Sequence, residues 1–331
     1  MKNQKTKHPF NRHIQLLGLA LAVLTITGCK SLDPGPFQNF AASADKVNTS
    51  AQAAYDLLAK TGADRARLEL VKSPLPPYMP PNNRKILLGK TFISDESFQE
   101  RSKVAGGLAA YARALANLAS GPAQKQFDTS TAGLAQALKS FQAENVTNLF
   151  GANLSQLLPT QSQIDAFSGS VQMIGNLILD AETKSDMKKI LQQGTPAILC
   201  VTTNLENDIG ANVNTGMRGY FDHYYDDLLI DQFGQESWKA DDGTTITWAM
   251  LSTTDRQKMV QDAVGLVGQR QATDAMLVAL QQSYGKFRQA HEALKGVVDQ
   301  SQQISLSSAL STFNETAQHL DDIVNSLKKT K

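Results

Sequence analysis

The densest group of side chains able to do polar chemistry lies between residues 218 and 231. The stretch reads RGYFDHYYDDLLID and combines tyrosines, one histidine and several aspartates. On a helix, side chains four residues apart share a face, which pairs His223 with Asp227 and Asp222 with Asp226. Two ligands are an incomplete set for a divalent ion, so we expect no metal site here.

Aromatic residues crowd the same part of the chain. Three of the seven tyrosines and both tryptophans fall between 220 and 248. The favoured interpretation is that Tyr220, Tyr224 and Leu228 enter the core while the acids face water. Aromatic and acidic side chains at the loop end of a rigid scaffold also make a plausible binding surface. The candidate interaction surface is Tyr220, His223, Tyr225, Asp226, Asp227, Trp238 and Trp248.

Two short matches to catalytic motifs fail on inspection. Gly89-Lys90-Thr91 resembles the end of a phosphate-binding loop, but Arg84 stands where that loop needs glycine. His291-Glu292 opens like a zinc-protease helix, but Lys295 occupies the position of the second histidine. A histidine on an apolar helical stripe is better explained as a core imidazole with a hydrogen-bond partner.

Other signatures of catalysis are missing from the sequence. Beyond residue 28 the chain has three histidines, and it carries no G-x-S-x-G turn, dinucleotide fingerprint or Cys-x-x-Cys pair. We therefore expect no enzymatic activity, no catalytic residue, no metal and no cofactor.

The N-terminal stretch carries a targeting pattern. A basic segment, 2–13, precedes an apolar run over 14–26, which at about 13 residues is too short for a permanent membrane span. Ile26-Thr27-Gly28-Cys29 resembles the lipobox of bacterial lipoproteins. That resemblance implies that residues 1–28 are a cleaved signal peptide and that Cys29 carries the acyl chains. Lys30 after the cysteine, rather than aspartate, implies sorting to the outer membrane, with the body in the periplasm.

The remainder of the chain has consequences for partners and stability. Removing residues 1–28 leaves 28 basic and 31 acidic residues, so nothing favours nucleic-acid binding. With Cys29 acylated, Cys200 has no disulfide partner, and we expect it to be a small buried hydrophobe. The tether, 29–36, extends about 25 Å at most beyond the cysteine, so the body should lie near the membrane.

Apolar residues recur at helical spacing over most of the mature chain. Steps of three and four run through four long seams, which predict an all-α fold, an elongated bundle of long antiparallel helices. The seams are Phe37-Phe40-Ala44-Val47-Ala51-Ala54-Leu58, Ile164-Phe167-Val171-Ile174-Ile178, Leu277-Leu280-Tyr284-Phe287-His291-Leu294-Val298 and Leu306-Leu310-Phe313-Ala317-Leu320-Val324-Leu327. A fifth stretch, 196–231, has its own apolar face, and its glycines predict a bend near 210–219.

Two segments interrupt the helical pattern. The Pro-rich stretch at 73–83 cannot continue a helix. Asp242-Gly243 between Thr- and Trp-rich flanks predicts a small β-hairpin near 238–248, inserted at one end of the bundle. The Pro-rich stretch could divide 37–72 from the rest, but a single helix of about 35 residues cannot fold alone, so we expect one domain over 37–331.

These observations favour a membrane-anchored envelope lipoprotein that acts as a non-enzymatic binding or scaffold module. Its expected partner is an envelope protein or a cell-wall polymer, in addition to the membrane that holds the lipid. One alternative is a helical bundle that binds or senses a ligand near His223 or His291. Another is a periplasmic immunity or inhibitor lipoprotein, which sequence alone cannot distinguish from the first reading.

Overall fold

The computed structural model describes residues 32–72, 95–120, 183–234, 237–239, 244–300 and 305–329. Helix accounts for 89% of these residues, so the predicted helical class is confirmed. The predicted signal peptide, the predicted lipidation site Cys29, the Pro-rich stretch at 73–83 and the predicted seam at 164–178 lie outside the described residues.

Long helices form the described part of the chain. They are α1 (Gly35–Lys72), α2 (Asp95–Ala119), α3 (Thr183–Ile209), α4 (Gly216–Phe233), α5 (Thr253–Asp299) and α6 (Leu306–Lys329). The first turn of α1 suits its sequence, since Pro36 fits an N-terminal helical position and the Asp33 carboxylate accepts a bond from the Gly35 N–H at 3.0 Å. At 47 residues, α5 extends about 70 Å.

The predicted seams of α1, α5 and α6 are confirmed as the buried faces of those helices. Every seam position of α1 and α5 is buried, and in α6 only the two terminal leucines are half-buried. Phe40, Phe287 and Phe313 join the three helices, with ring centroids 4.8 to 5.8 Å apart. Apolar burial between these stripes is the main stabilising term of the fold.

Small side chains let α1 and α2 approach closely. Ala41, Ala44 and Ala51 of α1 are buried, and α2 presents a comparable run of buried alanines. At Gly106, an added Cβ would lie 3.5 Å from the Asn48 Oδ1. Tyr55 meets Phe98 near one end of the pair, and Gln38 bonds Ser120 near the other, so the two helices run in opposite directions.

The stretch predicted as one bent helix is two helices separated by residues 210–215. Gly210 has φ +100°, and a Cβ there would lie 1.9 Å from the Thr215 carbonyl oxygen. Gly216 has φ +60°, which also favours glycine. The predicted bend is therefore a break, and Val213 is exposed within it.

A short β-pair and a turn connect α4 to α5. β1 (Ser237–Lys239) pairs antiparallel with β2 (Thr245–Thr247), which places Trp238 opposite Ile246. A 3-10 turn follows at Trp248–Met250. Ser252 then caps α5, because its hydroxyl accepts a bond from the Asp255 N–H at 3.1 Å, and the Ser-x-x-Asp spacing loosely resembles a capping box.

Cys200 is less buried than the sequence predicted. It is intermediate in exposure, and its sulfur lies 3.6 Å from the Asn204 side-chain nitrogen. Partial burial raises the pKa of the thiol, with the Asn204 bond opposing that rise. A thiol held protonated is a weak nucleophile.

Candidate functional site

Arg270 of α5 binds both aspartates that the sequence places on one face of α4. Its Nε and Nη2 donate to the two carboxylate oxygens of Asp222 at 2.6 and 2.7 Å. Its Nη1 donates to Asp226. The hydrogen bonds that Arg270 donates to Asp222 are the main reason that the pKa of Arg270 is raised. The paired carboxylates therefore fasten α4 to α5 and are engaged by a guanidinium.

A second ion pair lies one turn along the same two helices. Arg218 donates to Asp274 at 2.7 and 3.2 Å, and its Nη1 reaches the Ala211 carbonyl oxygen at 3.1 Å. Arg218 thus ties the break between α3 and α4 to α5. Together, the two arginines hold α4 against α5, and this pair of helices is called the platform below.

The structure divides the candidate interaction surface between core and solvent. Tyr225 is only 4% exposed and its hydroxyl lies 3.2 Å from the Thr273 Oγ1, so it stabilises packing. Tyr220 is half-buried, whereas His223, Asp227 and Trp248 are exposed. Burial is also the main cause of the raised pKa of Tyr225.

Exposed large apolar side chains were missed at the sequence level, and they concentrate beside this platform. Of the seven in the described residues, six lie between 230 and 267. They are Ile230, Trp248, Met250, Val260, Val264 and Val267. The three valines repeat at steps of four and three, a spacing that already indicated a second apolar stripe on α5.

The clefts next to the platform are too small for an organic ligand. The larger, beside Tyr225 and Thr273, encloses about 30 Å³, roughly room for one water molecule. A much larger groove of about 620 Å³ lies between the starts of α1 and α6. Its lining includes Asn39, Ser43, Ser307, Ser311 and Asn314, with Asp33 as its charged member.

His291 is a core residue, as its position on the apolar seam of α5 predicted. Its Nε2 lies 3.0 Å from the Tyr111 hydroxyl, while its Nδ1 is buried without a hydrogen-bond partner. Burial lowers the pKa of the imidazole to about 3, with a smaller contribution from Lys295. The ring is therefore neutral near pH 7 and serves packing.

A buried ion pair, which sequence reasoning missed, holds α2 against α3. Arg101 donates to Asp208 at 2.5 and 2.7 Å, and both side chains are almost fully inaccessible to solvent. Beside them, the hydroxyls of Tyr55 and Tyr284 lie 3.2 Å apart. Four helices meet at this polar layer, so it fixes their register.

No group of three or more His, Cys, Asp or Glu side chains in the described residues has the geometry to hold a metal ion. None of the described helices is both long and apolar enough to cross a membrane. No family model, curated protein or solved structure matches this chain.

Proposed function

We propose that this protein is an envelope lipoprotein, held in the outer membrane by acylated Cys29, that binds another envelope component without catalysis. The observation that carries the proposal is the Ile26-Thr27-Gly28-Cys29 sequence placed only five residues before the start of α1 at Gly35. Two or more acyl chains anchor a protein stably, whereas a single chain does not. The short tether would hold the helical body against the membrane.

We further propose that the helices form an elongated bundle of antiparallel helices with the β-hairpin inserted at one end. Contacts along α5 support this arrangement. Its C-terminal part meets α1 at Phe40 and His291, and its N-terminal part meets α4 at Asp222 and Arg270. From His291 back to Met250 the chain covers about 60 Å of helical rise. The hairpin end would therefore face away from the membrane.

The binding surface would lie on the part of the body away from Cys29. His223 and Asp227 are exposed on α4 about midway along α5, where the Arg270 and Arg218 ion pairs hold these two helices together, and Trp248 is exposed just before α5 begins. Aromatic side chains on a rigid support lose little conformational entropy on binding, which suits them as anchors. The partner would be an envelope protein or a cell-wall polymer.

Site-specific photo-crosslinking in cells tests this surface. A photoreactive residue at His223 or Trp248 should give a discrete adduct, and one at the exposed His319 of α6 should not. The combined Trp238→Ala and Trp248→Ala variant should weaken capture of that partner while leaving the helical circular dichroism unchanged. The same adducts at all three positions, or full capture by the double variant, would contradict the proposal.

The groove between α1 and α6 favours a second candidate function, ligand binding. A volume of about 620 Å³ suits a small molecule, and the serine and asparagine lining offers uncharged donors and acceptors. This reading places the ligand at the end of the body next to Cys29, in a groove that neither His223 nor His291 lines. Saturable binding of a ligand that Ser311→Trp abolishes would support it.

A further inference from the structure

The helices α1 and α6 lie side by side and run in the same direction. Phe40 packs on Phe313 with ring centroids 5.8 Å apart. Further along both helices, the Ser50 hydroxyl donates to the Asp321 carboxylate at 3.1 Å. Both helices therefore begin at the same end of the body, and the groove of about 620 Å³ lies between their first turns.

A buried hydroxyl in this groove has no hydrogen-bond partner. Ser43 of α1 lines the groove, is only 3% exposed and makes no hydrogen bond to any residue in the described part of the chain. A serine inside a helix usually donates to the carbonyl oxygen four residues back, as the buried Ser283 does to Ala279 at 2.8 Å. Leaving a buried hydroxyl unpaired costs stability, and a ligand oxygen in the groove would remove that cost.

The side of the groove next to α1 attracts a cation. Asp33 is the charged member of the lining, is exposed, and has no ion-pair partner among the described residues. Its Oδ1 accepts the Gly35 N–H at 3.0 Å, which leaves Oδ2 for a further donor. An ammonium group suits this position, because hydrogen bonds between charged groups are the strong ones. No lysine or arginine lines the groove, so a simple anion would meet only repulsion from Asp33.

The side of the groove next to α6 has the opposite polarity. The first N–H groups of a helix lack partners within it and carry a partial positive charge. Ser305 accepts the N–H groups of Ser308 and Ala309. Those of Leu306 and Ser307 make no hydrogen bond within the described residues, and the first turn of α6 has no acidic side chain. A phosphate oxygen suits this position.

The groove also lies close to the proposed lipid anchor. Asp33 follows Cys29 by four residues, which span about 14 Å at most. Pro36, Leu306 and Leu310 add apolar surface to the polar lining. Polar groups beside apolar surface suit the part of a phospholipid where the headgroup joins the acyl chains.

We propose that this groove binds the headgroup of a membrane phospholipid with a primary ammonium next to its phosphate, as in phosphoethanolamine. The ammonium donates to Asp33, the phosphate accepts from the start of α6, and the Ser43 hydroxyl pairs with a headgroup oxygen. A headgroup without net charge matches a groove with one carboxylate and one open helix N-terminus. The inference names the ligand class for the proposed ligand-binding function of this groove, and it rests on that function and on the anchor at Cys29.

Hydrogen exchange of the acylated protein in lipid nanodiscs tests the headgroup. One set of nanodiscs contains phosphatidylethanolamine and phosphatidylglycerol, and the other replaces phosphatidylethanolamine by phosphatidylcholine at equal surface charge. Amides at the starts of α1 and α6 should exchange about fivefold more slowly in the first set, because a bound headgroup stabilises both first turns. Amides of α4 should exchange equally in both. Equal exchange at the starts of α1 and α6 in the two sets would overturn the proposal.

Asp33→Asn tests the contact with the ammonium. Asparagine keeps the cap on α1 but carries no charge, so the difference between the two nanodiscs should disappear. Asp56→Asn is the matched control, since Asp56 is exposed on the same helix about 30 Å beyond Pro36, and it should keep the full difference. A full difference in Asp33→Asn would overturn the proposal.

Ser311→Trp separates failure of this inference from failure of the ligand-binding function. The indole should fill the groove and remove the slow exchange seen with phosphatidylethanolamine. An equal effect of Ser311→Trp in both nanodiscs would keep the groove as a ligand site and overturn the headgroup assignment. No effect in either would remove both. The intact mass of the same samples establishes that Cys29 is acylated, so a missing anchor cannot produce these outcomes.

Discussion

Individual polar residues decide how the helices of this protein are aligned. Arg101 and Asp208 are 107 residues apart in the chain, yet they form a bidentate ion pair away from solvent. Apolar seams alone tolerate sliding by one helical turn, since each turn presents a similar stripe. Moving either helix by one turn would separate the buried Arg101 and Asp208 charges, so the pair favours one register.

Removing one member of this pair should destabilise the fold strongly. Arg101→Met leaves Asp208 charged and buried, and we expect a loss of about 3–5 kcal/mol in the free energy of unfolding. Urea denaturation followed by circular dichroism measures it. The double variant Arg101→Met with Asp208→Leu should lose clearly less than the single one, and an additive loss would contradict the direct pairing.

His291 should make stability depend on pH. Its pKa is about 3 in the folded protein, against about 6.5 when unfolded. A lowered folded pKa means that stability is complete above pH 6.5 and falls as pH drops toward 3, by about 1.4 kcal/mol per unit. Between pH 7 and 4.5 the parent should lose roughly 2–3 kcal/mol more than His291→Gln. Parallel losses in urea denaturation at the two pH values would refute this assignment.

At the scale of the elements, glycines end one helix and start the next. Gly210 and Gly216 adopt positive φ on either side of the 210–215 break, and backbone atoms fill the space that a Cβ would need at both positions. The glycines of this stretch predicted a bend, because glycine has a low helix propensity. Arg218 contacts Ala211 within the break and also Asp274 of α5, and this second partner, 56 residues away, could not be read from local sequence.

Gly210→Ala should therefore destabilise the protein by more than 2 kcal/mol, since its Cβ would meet the Thr215 carbonyl oxygen. Gly265→Ala is the matched control on α5, where no atom lies within 4 Å of the added Cβ. That change should leave stability equal or raise it by up to about 1 kcal/mol. Thermal unfolding of both variants measures the two changes in stability, and equal changes would contradict the positive φ of Gly210.

The same reasoning shows what sequence can predict about this chain. Buried faces of α1, α5 and α6 follow from periodicity, because helix geometry converts spacing into a face. The cap at Ser252 follows from a local motif. Partners such as Asp222 with Arg270, 48 residues apart, depend on which helices become neighbours, and periodicity does not specify that.

At the scale of the whole molecule, we propose a helical body that acts by contact. A few residues would join Cys29 to the end of the body where α1 begins, and His223 and Trp248 would be exposed farther from the membrane. A body anchored in this way would meet partners within about 60 Å of the membrane. Removing the lipid anchor should abolish partner capture in cells, because the body is then no longer held at the membrane. The fold should be unchanged.

The most direct test is the intact mass of the protein purified from membranes, compared with Cys29→Ser. We predict a mature chain that lacks residues 1–28 and carries a diacylglyceryl group and an N-acyl group on Cys29, whereas Cys29→Ser carries neither lipid and leaves the detergent phase. A chain that retains residues 1–28, or an unmodified Cys29, would contradict the central claim.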